Sequence, residues 1–291
     1  MSNNRSAGLT QRKRQTSAVN QVNNKPEPER DAFEENDNLH DKYSKDARLS
    51  LMEEVLLLGL KDEEGYTSFW NDCISAGLRG CIIVELGLRK RAELEKTGNR
   101  RRALLNRKMV LVDETPTGDV LLDETLRHLK DTDVNGEQET VEYWVELLSG
   151  ETWNPLKLKY QLRNVRERLS KSLVEKGVLT TEKQNFFLFD VTTHPVVEAT
   201  SKEKVIKRVQ DTLLGKWQND ISRIDKRALA LVYLAHASDV LENAFKSLSD
   251  DDYEIAMRRV RELLNVDPEV EAQRAGAIEP MWAVVETFNS R

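Results

Sequence analysis

The sequence predicts a mainly α-helical domain of one core, carrying small β elements and preceded by a flexible tail. Three observations lead there. Apolar residues recur at helical spacing through most of the chain after residue 48, and cap residues stand where those periodic runs begin. Short alternating or aromatic runs, bounded by turn residues, occur only in a few places.

The chain has 291 residues, enough to bury a large core. Hydrophobic residues make up 39% and charged residues 32%, and the net charge is −6. No window offers the roughly 18 uninterrupted apolar residues of a membrane span, and no secretory h-region opens the chain. A cytosolic protein whose membrane contact is peripheral is therefore expected. The acidic balance argues against a general nucleic-acid binder. Cys73 and Cys81 stand too far apart for a CxxC motif and read as reduced core residues.

Residues 1–48 carry few large apolar groups and are expected to be a disordered tail, basic at Arg12, Lys13 and Arg14 and acidic later. The domain is expected over 49–291. Ser50-Leu51-Met52-Glu53 fits a capping box, and Leu51, Val55 and Leu58 continue it as a helix. A second helix is expected over Phe69 to Leu88, with Trp70 and Arg79 on it. Lys108 to Asp113 reads as a strand closed by Pro116-Thr117-Gly118-Asp119, with Asp119 capping a helix to about Lys130. The loop expected over Asp131 to Glu139 leads to an amphipathic helix, Val141 to Leu148.

Asn154-Pro155 is a helix start and Gly177 a terminator, which predicts one helix of about 22 residues between them. On that helix Arg163 and Arg166 would share a face three positions apart, and Arg168 would point elsewhere. A hairpin follows, with Gln184 and Asn185 leading into Phe186-Phe187-Leu188-Phe189. Ser201 is expected to open a helix running through Trp217. ALALVYLAHA, from Ala228 to Ala237, is apolar all round and reads as a buried central helix that includes His236. Asp250 would cap a penultimate helix to Leu264, and Trp282 to Phe288 would form the last.

Catalytic motifs are absent: there is no HExxH, GxSxG, P-loop or GxGxxG, and the four histidines are scattered. Neither a metal site nor a cofactor is expected. Arg163 and Arg166 have the chemistry of a phosphate clamp, because guanidinium groups meet phosphate oxygens in pairs; they could equally pair with Glu167 or Glu175 on a solvated face. Gly77 and Gly80 beside Arg79 would allow a close approach by backbone or ligand. The aromatic hairpin needs a core or a lipid surface. A winged-helix nucleic-acid module is the competing reading of helix plus hairpin, and a hydrolase acting on bound lipid is a third.

Longer blocks carry a resemblance: LMEEVLLLGLKDEEGYTSFWNDCISAGLRGC, PTGDVLLDETL, ELLSGETWNPLKLKYQLRNVRERLSK, LVEKGVLTTEKQNFFLFDVTTHP, ALVYLAHASDVLENAF and LNVDPEVE. From about Leu49 to the C-terminus the chain resembles the Golgi phosphoprotein 3 family. The resemblance implies a helical fold around a central four-helix bundle with a protruding β-hairpin. It also implies a non-enzymatic peripheral adaptor at the cytosolic face of the trans-Golgi, and in the cytosol, that binds phosphatidylinositol 4-phosphate. On that resemblance Trp70, Arg79, Arg163 and Arg166 are the headgroup site, and Gln184, Asn185, Phe186, Phe187, Leu188 and Phe189 form the membrane-inserting hairpin. The implied partners are the cytosolic tails of Golgi glycosyltransferases and coatomer, the latter through Arg12, Lys13 and Arg14. An unconventional myosin is suggested for some members, and no nucleic acid is expected.

Overall fold

In the computed structural model, the described residues are 49–62, 64–65, 73–96, 102–186, 189–215, 220–276 and 278–290, with the side chains of 184–191 left aside. Arg12, Lys13, Arg14, Trp70, Phe187, Leu188 and Trp217 therefore lie outside the described residues.

Ten α-helices are present among the described residues. They are α1 Leu51–Gly59, α2 Cys73–Leu88, α3 Val120–Val134, α4 Val141–Ser149, α5 Val165–Glu175, α6 Ala199–Leu214, α7 Lys226–Ala237, α8 Asp250–Leu264, α9 Pro268–Arg274 and α10 Met281–Asn289. Two antiparallel pairs supply the β structure. Strand β1, Ala92–Leu94, pairs with β2, Met109–Leu111, and β3, Glu182–Phe186, pairs with β4, Phe189–Thr193. The chain is mainly helical, as its periodicity predicts, and no described helix is long and apolar enough to cross a membrane.

Helix α1 is buried from Leu51 to Leu58, and its nearly unbroken apolar sequence explains why it must be enclosed. Helices α2 and α7 pack against it and each other; α4 and α10 close on α2. Ala228 to Ala235 of α7 are all buried. Gly77 and Gly80 do serve close approach, but by protein. A Cβ on Gly77 would lie 1.9 Å from the Ser238 hydroxyl oxygen, and one on Gly80 would lie 2.6 Å from the Phe288 ring.

Charge is built into this core. The Glu53, Glu54 and Glu85 side chains are buried, an arrangement tolerable only with partners. Arg227 donates to both Glu85 oxygens at 3.0 and 3.2 Å and to the Leu49 carbonyl at 2.8 Å, and stands 3.7 Å from Glu54. Arg208 also pairs with Glu54, and Arg89 donates to Glu85 at 2.8 Å. The Leu51 amide donates to Glu85 at 2.9 Å. Lys176 and Ser172, at the end of α5, hold Glu53 at 2.6 and 2.8 Å. At the start of α1 the Ser50 amide and hydroxyl donate to Glu53 Oε2 at 2.7 and 3.1 Å, so the capping carboxylate also ties α1 to α5.

Several expectations need correction. The helix expected from Pro155 to Lys176 is two pieces: a 3-10 turn, Pro155–Tyr160, and α5. Between them Asn164 adopts a left-handed conformation, φ 53 and ψ 38, which breaks the helical path. Helix α3 runs four residues past Lys130, to Val134, so its loop is shorter than expected. Helix α6 starts at Ala199, capped by Glu198, rather than at Ser201. Ser249, not Asp250, caps α8, and α9 follows it, so α8 is not penultimate. Cys73 is exposed while Cys81 is buried, and His236 is exposed at the end of α7 rather than enclosed.

Replacing Arg227 with alanine removes the cation shared by Glu54 and Glu85, leaving Glu54 with Arg208 and Glu85 with Arg89 and the Leu51 amide, and should cost about 3 kcal/mol. Burial works to raise Glu85, while Arg227, the Leu51 amide and Arg89 together hold it below its ordinary value. Without Arg227 the lowering weakens and the folded-state pKa of Glu85 should rise. In wild type a carboxyl held low contributes stability above its unfolded pKa, and the variant forfeits that contribution as pH rises through it. Denaturant unfolding should therefore show the variant's deficit widening from acid to neutral pH; a deficit independent of pH would contradict this role.

Candidate functional site

The site is organised by Arg79, an arginine that the interior has absorbed. It sits in α2 with 6% of its surface exposed. Nε donates to the Leu148 carbonyl at 3.3 Å, Nη2 to the Leu162 carbonyl at 2.9 Å, and Nη1 to the carbonyl and hydroxyl of Ser75 at 3.0 and 3.1 Å. Leu148 ends α4 and Leu162 precedes α5, so one guanidinium group staples both stems of the intervening loop. The Leu162 amide donates to the Leu148 carbonyl at 3.0 Å, which closes the same junction. Gly150 makes it fit. Its φ of +82 favours glycine, and a Cβ there would lie 2.3 Å from Gln161 Nε2.

Arg163 and Arg166 follow the staple directly. Arg163 lies before the α5 N-cap and is exposed, whereas Arg166 is in the first turn and half-buried. They are not an i, i+3 pair on one helix, because the left-handed Asn164 separates them. Arg166 nevertheless stands close enough to act on Arg79: burial first, and then the charge of Arg166, hold the Arg79 pKa down to about 10, with Glu151 acting in the opposite direction. Arg79 thus stays cationic at neutral pH. Arg168 is directed away and pairs with Glu124 at 2.6 Å. No ion pair to Arg163 occurs among the described residues, so the solvated pairing with Glu167 or Glu175 is not what the structure contains for it.

Arg79 and Arg166 are close enough to act on each other, and exposed Arg163 directly follows the Leu162 carbonyl that Arg79 holds, so positive charge gathers at this junction with Arg163 open to solvent. Such an arrangement can take a phosphate through paired N–H donors. Trp70 lies outside the described residues. The β3–β4 hairpin has the register Gln184↔Val191, Asn185↔Asp190 and Phe186↔Phe189.

Sequence reasoning missed Ser75 and the two carbonyls that Arg79 holds. It also missed the break at Asn164, although Asn164-Val165-Arg166-Glu167 has the spacing of a helix start.

The sequence profile described as Golgi phosphoprotein 3 (GPP34) matches residues 51–279. The chain belongs to the Golgi phosphoprotein 3 family. It is 47% identical over 234 residues to vacuolar protein sorting-associated protein 74 of Schizosaccharomyces pombe, covering 76% of this chain and 67% of the relative. The match begins where α1 begins and takes in every arginine of the site. The family's name ties it to the Golgi, and the relative's name is one of protein sorting.

Substitutions should separate the staple from the open cation. Arg79→Ala leaves the buried Leu162 carbonyl without its donor and the Leu148 carbonyl with the Leu162 amide alone, and should cost about 1–3 kcal/mol. Arg163→Ala should change stability by no more than about 0.5 kcal/mol. Thermal unfolding of the two variants checks both; equal effects would mean that Arg79 is not the tie between α4 and α5.

Proposed function

We propose that this protein is a peripheral Golgi sorting adaptor that recognises phosphatidylinositol 4-phosphate through Arg79, Arg163 and Arg166, with Trp70 beside the headgroup. The observation that carries the reading is that buried Arg79 feels the charge of half-buried Arg166 and holds the Leu162 carbonyl directly before exposed Arg163, in a member of this family. A monoester phosphate offers several acceptor oxygens, and guanidinium forks match them better than a point charge would. Arg79 acts mainly by positioning: it holds the chain that presents Arg163 and adds its charge from beneath.

In this reading the β3–β4 hairpin adds apolar insertion at Gln184 to Phe189, so that headgroup contact and insertion are both needed for firm binding. The adaptor role is non-enzymatic. It links cytosolic tails of Golgi glycosyltransferases to coatomer, the latter through Arg12, Lys13 and Arg14, for retention and retrograde transport. Family membership and the sorting name of the yeast relative support this assignment.

Liposome flotation tests the lipid step. Wild type should float with vesicles bearing phosphatidylinositol 4-phosphate in preference to isomers or phosphatidylserine at matched surface charge. Arg163→Ala/Arg166→Ala should lose that preference while unfolding at nearly the wild-type temperature. Undiminished selectivity in the double variant would overturn the site, and equal flotation on every anionic surface would reduce it to a nonspecific basic patch.

A further inference from the structure

The loop between α4 and α5 carries a second feature that the headgroup reading leaves unused. Trp153 is fully exposed and Leu156 is 81% exposed. Both lie in the segment whose two stems end on Arg79, and Arg163 follows three residues after its buried end, Tyr160.

The segment is tied by local hydrogen bonds in spite of its exposure. The Asn154 amide donates to the Thr152 hydroxyl at 3.2 Å, and the Asn154 side chain accepts from the Leu156 amide at 3.0 Å. Pro155 fixes the first position of the 3-10 turn. Tyr160 closes it, packing edge-on against Trp144 with centroids 5.8 Å apart and donating to Asp131 at 2.8 Å. Tyr160 and Trp144 are buried, whereas Trp153 faces solvent.

We propose that this loop is an interfacial membrane anchor, in which Trp153 and Leu156 enter the headgroup and upper acyl region of the bilayer while Arg163 and Arg166 engage a phosphorylated headgroup. The inference rests on the lipid-directed reading of the arginine site. Charge selects a lipid surface over other occupants. Lys157 and Lys159 neutralise Glu139 and Asp131, which would otherwise repel an anionic surface, and Arg163 supplies the open positive charge at the loop's base. Glu151 is the opposing charge at the other stem. Tryptophan, apolar in body with one N–H, suits the boundary between headgroups and chains, and leucine beside it adds area removed from water. The local hydrogen bonds at Thr152, Asn154 and Leu156 lower the ordering cost of that insertion.

The test uses full-length protein and phosphatidylcholine vesicles carrying phosphatidylinositol 4-phosphate. Trp153→Ala/Leu156→Ala should weaken vesicle partitioning about tenfold or more, with the preference among phosphoinositide isomers retained. Brominated phospholipid should quench wild-type tryptophan fluorescence, and Trp153→Phe should remove a large part of that quenching. Unchanged partitioning together with quenching that survives Trp153→Phe, while wild type still selects the phosphoinositide, would overturn the anchor and leave the arginine site standing. A loss of partitioning accompanied by a fall in solution mass would assign the pair to contact between copies, and also overturn it. Wild type with no phosphoinositide preference would remove the arginine reading and the anchor together.

Discussion

Buried carboxylates constrain where every central helix can lie. Glu53, Glu54 and Glu85 stand inside the core, and each must meet a cation or an amide to remain there. Arg227 of α7 reaches Glu54 of α1 and Glu85 of α2, while Lys176 draws the end of α5 onto Glu53. Hydrophobic burial makes these helices associate, yet it is indifferent to small slides along their axes. Ion pairs with defined hydrogen bonds are not, and they set the register of α1, α2, α5 and α7.

That register reaches the arginine site through α2 and α5. Helix α2 holds Glu85 near one end and Arg79 six residues earlier, so a helix fixed by the buried charges delivers a guanidinium to the α4–α5 junction. Helix α5 is held at its far end by Glu53 and carries Arg166 in its first turn. Arg79 spends its donors on Ser75, Leu148 and Leu162 and shapes the chain, while Arg163 is left open to a ligand. A buried positioning arginine beneath an exposed one keeps the site's geometry when solvent or membrane approaches.

Local signals were legible where the physics is local. The Ser50–Glu53 start of α1 and the Asp119 cap, which accepts from the Leu121 and Leu122 amides, follow from a few neighbouring residues. The all-round apolar stretch of α7 likewise announces its burial. Asp267-Pro268 opens α9 by the same cap-and-proline rule as Asn154-Pro155, and Asp267 accepts from the Glu269 and Val270 amides, so that helix was readable and overlooked. The 3-10 turn was not readable from spacing, because it depends on Arg79, remote in sequence, competing for the Leu162 carbonyl that a continuous helix would have used internally. Arg79 itself looks like any surface arginine until Leu148 and Leu162 are brought to it. The placement of Trp70 and of Arg12, Lys13 and Arg14 lies outside the described residues.

The central claim is that Arg79, Arg163 and Arg166 act as one phosphate-binding group built on this frame. Arginine side-chain NMR, following the Nε–H resonances while a soluble short-chain phosphatidylinositol 4-phosphate is titrated in, addresses it most directly. The account predicts saturable shifts at these three arginines with one common binding constant, and smaller or no shifts with a phosphate at another ring position. Shifts confined to other arginines, or absent from these three at saturating ligand, would contradict it.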